Sequence, residues 1–563
     1  MNNAQKILSS VLGTEQFQEK PVGIQGILQT KDYNEFIILS DTGNELHRFT
    51  GAKLANKCLA GDHVNWADTK CQLELRDEHP LIVGTLELTN KSKYGLTSRG
   101  GSIYLFTPYN KSYPHFIVGC SERDVSKNRI GLIKFDDWAS SSTFPRGNLQ
   151  QVLGASGDFE AERQALIWQS SPWKYPKYPY VPVSKENILR QKLNGYTFNI
   201  DPVGCKDVDD VLTFEELDGG KWKVTITISD VATYVEDGGL VDTYASLIGQ
   251  TLYDTGGTVL RPMLPKEYSE EACSLIPGKE SYGISLQFIW DGKEITNKEW
   301  FESVLKTDKS YSYEEFQESA SPYKNPLQEI ASYLAKEDVK CSHKWIEQCM
   351  LFYNKEAGKR LKQSGMGILR KHSAPNFERL ERYRTHIPEL EKLAFSSAEY
   401  CLAEETETKH YGLDSDMYAH ASSPIRRYAD LVNQRALKLL LRGSSERYIV
   451  PLAMYDMNYR AKLNKNFGRD MDFLNAIATG QTTFTGIVID KTTVEDQQVK
   501  IKIYVPLWKR TISAKYKCAK ENMVLSRDEK REIDVSEFRE VEIKCAFNVN
   551  SRNWKERIII NIG

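Results

Sequence analysis

Phe198-Asn199-Ile200-Asp201-Pro202-Val203-Gly204-Cys205-Lys206-Asp207-Val208-Asp209-Asp210 places four aspartates within ten residues. Apolar Phe198 and Ile200 precede them, and Val211, Leu212 and Phe214 follow. Four carboxylates held this close repel one another unless a cation neutralises them. Hard divalent ions such as Mg²⁺ take oxygen ligands and keep waters for substrate. Two such ions about 4 Å apart stabilise the attacking and leaving oxygens of a phosphodiester in line. A solvated acidic loop is the competing reading, and a calcium loop is another. An EF-hand needs its glutamate at the twelfth position and a helix on each side, and neither fits this stretch.

Outward from the acidic stretch, residues 188–478 read as one mixed α/β region. Trp222 to Ile228 is strand-like, helical patterns occupy 324–365 and 388–408, and a further helix is expected from Pro424. That last helix belongs to Tyr418-Ala419-His420-Ala421-Ser422-Ser423-Pro424-Ile425-Arg426-Arg427-Tyr428-Ala429-Asp430. Ser423 suits an N-cap and Pro424 a first helical position. Arg426 and Arg427 would then lie in the first turn beside free backbone N–H groups, a phosphate-binding arrangement. The alternative is that both arginines pair with acidic neighbours.

The flanks are strand-rich. Residues 20–80 suggest a small barrel, with Asp41-Thr42-Gly43-Asn44 as a turn. Residues 81–165 interleave Tyr94, Tyr104, Phe106, Tyr109, Tyr113 and Phe116 with Lys91, Lys93, Arg99, Lys111, Arg123, Lys127 and Arg129. Aromatics can stack bases while cations follow phosphates; equally, these aromatics can be barrel core. Gly157-Asp158-Phe159-Glu160 marks a helix start, and 170–187 reads as a linker. Residues 479–563 return to period two: Val499, Ile501, Ile503 and Val505 alternate with Lys500, Lys502 and Tyr504, and Val541 to Val549 alternate likewise. Lys500 to Lys520 holds seven Lys or Arg and no Asp or Glu. This is either an RNA-facing surface or a charged edge that blocks aggregation.

The chain has 563 residues, 40% hydrophobic and 27% charged, enough for several domains. Its net charge of −2 excludes a polycation, so any RNA contact must be locally basic. Ten cysteines form no Cys-x-x-Cys pair, against a zinc ribbon. No run of about 20 apolar residues offers a membrane span. A cytoplasmic protein without membrane contact is the expectation.

Asp201 to Asp210 and Ser423-Pro424-Ile425-Arg426-Arg427-Tyr428-Ala429-Asp430 together resemble the signatures of the RNase II (RNB) family of exoribonucleases. Ile228-Ser229-Asp230-Val231, Pro262-Met263-Leu264-Pro265 and Cys273-Ser274-Leu275, and earlier Phe144-Pro145-Arg146-Gly147, extend the likeness over nearly the whole chain. The resemblance implies an α+β multidomain protein. Its parts would be two N-terminal cold-shock-like OB barrels (20–80 and 81–165), a mixed α/β RNB catalytic domain (188–478) and a C-terminal OB barrel (479–563). It implies 3′-to-5′ hydrolysis of single-stranded RNA, usually processive, releasing nucleoside 5′-monophosphates. It implies Mg²⁺, with Mn²⁺ as a substitute, on Asp201, Asp207, Asp209 and Asp210, Asp209 being the most critical. Tyr253 resembles the tyrosine near the 3′-terminal base, and Arg426 and Arg427 the arginines at the scissile phosphate. Lys500 and Lys502 are the expected RNA contacts of the last barrel.

Three departures stand out. Thr227 occupies a usual histidine position. The loop from Tyr253 to Pro265 is two residues longer, with Gly256 and Gly257. An arginine expected after Cys273-Ser274-Leu275 is missing, near Glu280-Ser281-Tyr282. A monomer outside any exosome is expected. A catalytically silent RNA-binding protein on the same scaffold is the alternative, although such relatives typically lose the acidic cluster.

Overall fold

The computed structural model describes residues 23–563 apart from 91–93, 178–179, 185, 187, 495–497, 553 and 555. Lys91, Lys93 and residues 20–22 of the first expected barrel lie outside the described residues, as does the side chain of Phe547.

Alternating apolar residues build the N-terminal unit. Five strands from Ile24–Thr30 to Lys70–Leu75 form one sheet that buries Leu28, Phe36, Ile38, Phe49 and Val64. Five more, from Ile82–Leu86 to Arg146–Ala155, close into a barrel. Tyr104, Phe106, Tyr109 and Phe116 are buried in or beneath it. Of the two readings open for these aromatics, base stacking or barrel core, their burial fits the core. The helix Phe159–Ser170 follows, with Asp158 accepting the Ala161 N–H at 2.9 Å as its cap.

The central region is built on a seven-stranded sheet. Its spatial order is Gln191–Lys192, Ile295–Lys306, Glu280–Trp290, Lys221–Ser229, Asp210–Leu217, Tyr196–Asp201 and Lys309–Ser312. The pairing of Leu212 with Ile226, and of Ile226 with Leu286, aligns one apolar face. That face packs on Trp345, Cys349 and Tyr353 of the helix Ser342–Ser364 and on Leu327 and Ile330 of Lys324–Ala335. The helical pattern over 324–365 is therefore two helices, interrupted at left-handed Lys336.

Two expectations are corrected here. Residues 388–408 are not a helix: a 3₁₀ segment Pro388–Ala394 leads into the strand Glu399–Leu402, which pairs with Ile368–Lys371. The helix expected from Pro424 begins at Tyr428 instead. Tertiary hydrogen bonds claim the intervening backbone. The Thr251 N–H donates to the Arg426 carbonyl and the Tyr428 N–H to the Gly249 carbonyl, both at 2.9 Å.

The C-terminal unit is a seven-stranded sheet spanning Thr483–Val494 to Ile558–Ile562. Val499, Ile501, Ile503 and Val505 face inward, as the alternation predicts. Their core is continuous with Val83, Tyr109 and Leu132 of the second barrel, Leu166 of the helix after it, and Phe467 and Met471 of the helix Met454–Ala478.

Candidate metal centre

Antiparallel pairing of Tyr196–Asp201 with Asp210–Leu217 puts Asp201 and Asp210 at the same end of the sheet. The excursion between them brings in Asp207 and Asp209. Ser274 fixes this loop, accepting the Val208 N–H at 3.0 Å and donating to the Lys206 carbonyl at 2.6 Å. The Ser229 N–H holds the Asp209 carbonyl at 2.8 Å.

Each aspartate has a distinct setting. Asp201 accepts from Asn199 Nδ2 at 2.7 Å, and Asn199 Oδ1 accepts from Ser310 at 2.6 Å. Asp207 Oδ2 accepts from the Tyr253 hydroxyl at 2.9 Å. Buried Asp209 accepts the Ile425 N–H on Oδ1 at 2.9 Å and meets Arg426 Nε on Oδ2 at 3.3 Å. Burial pushes the Asp209 carboxyl up to about 7, with the charges of Asp207 and Asp430 adding and Arg426 and the Ile425 N–H opposing. Burial, then the charges of Asp201 and Asp209, holds Asp210 well above the carboxylate range. Burial also raises Asp201, with Asp207 adding and Asn199 and Arg426 opposing. Three acids displaced upward by burial and mutual repulsion fit a cation, which would restore their ionised form.

Glu186, Asp230 and Glu302 are the one set of acidic groups among the described residues whose oxygens lie within 4.8 Å of one another. The four aspartates are spaced more widely. That tighter set is already neutralised: Lys438 Nζ lies 2.8 Å from both Glu186 and Asp230, Arg190 lies 2.7 Å from Asp230, and Arg442 lies 2.6 Å from Glu302. It is an ion-pair network that ties the linker to the sheet.

The two arginines diverge. Arg426 is partly exposed, between Asp209 and the Ser423 hydroxyl, to which it donates at 2.8 Å. Arg427 turns to Asp430 at 2.7 Å, whose same oxygen accepts the Ser423 N–H at 2.8 Å. Neither lies in a first helical turn, because the helix starts at Tyr428. Tyr253 begins a hairpin, Leu252–Tyr253 with Val259–Arg261. Gly256 and Gly257 build its turn, in which Asp254 accepts the N–H groups of Gly256 and Thr258 at 2.9 and 2.8 Å. Thr227 is fully buried and bonds the Ser285 hydroxyl at 2.7 Å. Glu280-Ser281-Tyr282 begins a sheet strand.

Lys500 is exposed on the outer face of the last unit, while Lys502 pairs with Asp490 at 3.0 Å. Neighbouring Tyr504 packs against a cluster that includes Tyr383 and Leu390, so part of this face docks against the central region.

Sequence reasoning missed Tyr313. The Lys309–Ser312 strand pairs with Tyr196–Asp201, aligning Ser312 with Asp201, so Tyr313 follows directly beside the acids. Burial, then Asp201 and Asp210, raises its hydroxyl far above the ordinary phenol range. His343 stacks on it at 3.8 Å. The hundred residues between Tyr313 and Asp210 hid this neighbour; only the strand pairing reveals it.

Comparison with known proteins places these features. The RNB domain model matches residues 190–334 and 322–443, and the Dis3-like cold-shock domain 2 (CSD2) model matches 103–171. Exosome complex exonuclease RRP44 of Homo sapiens is 24% identical over 455 residues, 64% of this chain and 47% of that protein. The chain thus spans about half the length of the RRP44 relatives it matches. Mycoplasma genitalium RNase R, solved with ribose-methylated single-stranded RNA, superposes with a TM-score of 0.67 at 16% identity, covering 96% of this chain and 100% of that one. Yeast Ssd1, described as a pseudonuclease, superposes at 0.60 and 16% identity, covering 97% and 83%.

Proposed function

We propose that this chain, whose residues 190–334 and 322–443 match the RNB domain, hydrolyses single-stranded RNA from the 3′ end, releasing nucleoside 5′-monophosphates processively. The observation that carries this reading is the convergence, at one end of the RNB sheet, of four aspartates with an arginine bonded to Asp209. Asp201, Asp207, Asp209 and Asp210 would hold Mg²⁺ or Mn²⁺. Bound there, such ions supply Lewis-acid stabilisation and an activated water.

The chain's own groups do the rest. Asp209 is clamped on both oxygens, so its direction is set before substrate arrives. Arg426 presents its partly exposed guanidinium beside that carboxylate, where a scissile phosphate would meet it. Tyr253, tethered to Asp207, offers its ring to the terminal base. Replacing Asp209 by Asn keeps volume but removes charge. Cleavage should fall by at least about a hundredfold while single-strand affinity in chelator stays within a few-fold. Equal loss of binding and cleavage would contradict the assignment.

A silent RNA-binding role is the second reading, favoured by the likeness in fold to Ssd1. Retention of all four aspartates and Arg426 argues against it.

A further inference from the structure

Behind the Ser423–Arg427 turn lies a group of cations with no use in the account above. Arg370, on the strand Ile368–Lys371, rests its guanidinium 4.6 Å from the Tyr400 ring. Its Nη1 is buried and has no hydrogen-bond partner. Lys465 and Arg469 stand four residues apart on the exposed side of the helix Met454–Ala478. Among the described residues Lys465 hydrogen-bonds only the Ser397 hydroxyl, at 2.8 Å, and burial, then the charges of Arg469 and Arg370, depresses its ammonium below the ordinary range. No carboxylate pairs with Arg370, Lys465 or Arg469 among the described residues. Like charges at i and i+4 destabilise a helix, and a third cation beside them adds to that cost.

The group is continuous with the aspartates. Tyr400 bonds His420 Nδ1 at 3.0 Å, and the Arg370 N–H donates to the Tyr418 carbonyl at 2.8 Å. Burial, then the charges of Arg427, Arg370 and Arg426, holds the His420 imidazole well below its ordinary range. The next cations inward are Arg427, whose buried Nε is also unpartnered, and then Arg426 on Asp209. Cations thus run from an exposed helix face toward the aspartates: Lys465, Arg469 and Arg370 have no carboxylate partner among the described residues, while Arg427 is paired with Asp430 and Arg426 with Asp209. A polyanion laid along this line would supply the partner that Lys465, Arg469 and Arg370 lack.

We propose that Arg370, Lys465 and Arg469 form a phosphate track that grips the backbone of bound RNA on the 5′ side of the bond presented to Asp209. This rests on the exoribonuclease reading for its direction, though not for its chemistry. Arg370 is a positioning residue: it fixes which phosphodiester reaches the aspartates and does not touch the reacting atoms.

The test is equilibrium binding of a labelled single-stranded RNA to the full chain in chelator, so that nothing is cleaved. RNAs carrying one uncharged methylphosphonate linkage, walked stepwise from the 3′ end, report which phosphates matter. Arg370→Gln should bind about tenfold more weakly, with a log–log salt slope shallower by about 0.7. It should also lose sensitivity to one upstream linkage that weakens wild-type binding, keeping the others. Lys465→Gln with Arg469→Gln alters only exposed side chains and should shift the profile further upstream. This pair decides the matter if Arg370→Gln does not fold. Identical affinity, slope and linkage profile in wild type and variants would overturn the track. Failure of the wild type to degrade RNA in Mg²⁺, with the linkage effect intact, would sink the exonuclease reading and leave the track standing.

Discussion

Asp209 is the side chain on which distant segments converge: the Ile425 N–H and Arg426 grip its two oxygens across more than 200 residues of sequence. The aspartates were legible because they lie together in the chain, and four carboxylates between apolar strands demand an explanation. The division of labour between the arginines was not legible. Adjacent residues point to opposite partners, Asp209 and Asp430, and only the local backbone path decides which. Tyr253 makes the residue-scale prediction. Tyr253→Phe keeps the ring but deletes the 2.9 Å bond to Asp207. A hydrogen bond to a charged group contributes about 1.5–3 kcal/mol, so kcat/KM should drop by roughly tenfold or more, with end-product length unchanged. Tyr253→Ala should change that length. An unchanged kcat/KM for Tyr253→Phe would separate Tyr253 from the acidic centre.

At the scale of elements, the strand alternations were readable and the start of the helix at Tyr428 was not. Ser423-Pro424 carries a good local helix signal, yet pairing with residues 249–251 keeps 424–427 out of the helix. Tertiary bonds outweighed capping preference. The helix Ser342–Ser364 approaches the 417–419 segment at Gly358, where a Cβ would lie 2.9 Å from the Met417 carbonyl oxygen and 3.0 Å from the Ala419 nitrogen. Gly358→Ala should therefore destabilise by about 1–3 kcal/mol, seen as a lower melting temperature; an unchanged melt would show that the helix can shift freely. The linker network gives a pH prediction. Burial alone would raise Asp230, but Lys438, Arg190 and Thr233 outweigh it and hold its carboxyl below the ordinary value of 3.8. Its stabilising contribution is complete above that pH and is lost as pH falls through the depressed folded value. Asp230→Asn should be less stable than wild type at neutral pH, with the gap narrowing in strong acid. A constant gap would mean that Asp230 is not ionised in the fold.

Across the whole molecule, the second barrel, the helix after it and the C-terminal unit share one core. Arg557 locks them, donating to the Tyr109 hydroxyl at 2.7 Å and to Thr85 at 2.6 Å, and pairing with Glu162. No sequence pattern linked residues separated by nearly 400 positions. Arg557→Met would strand a buried carboxylate at Glu162 and should cost about 3–5 kcal/mol, read as a lower urea midpoint; an unshifted midpoint would remove the lock. Because this core is shared, the proposed RNA contact of the last unit is better tested by Lys500→Gln than by deleting the unit. The central claim is hydrolysis from the 3′ end by the aspartate centre. It is tested most directly with a 5′-labelled single-stranded RNA of about 30 nucleotides, long enough to span the barrels and the catalytic region, incubated with the full chain in Mg²⁺ and in chelator. The account predicts loss of full-length RNA in Mg²⁺ only, ending in a very short labelled fragment with release of 5′-monophosphates. RNA left intact in both Mg²⁺ and Mn²⁺ while still bound would contradict it.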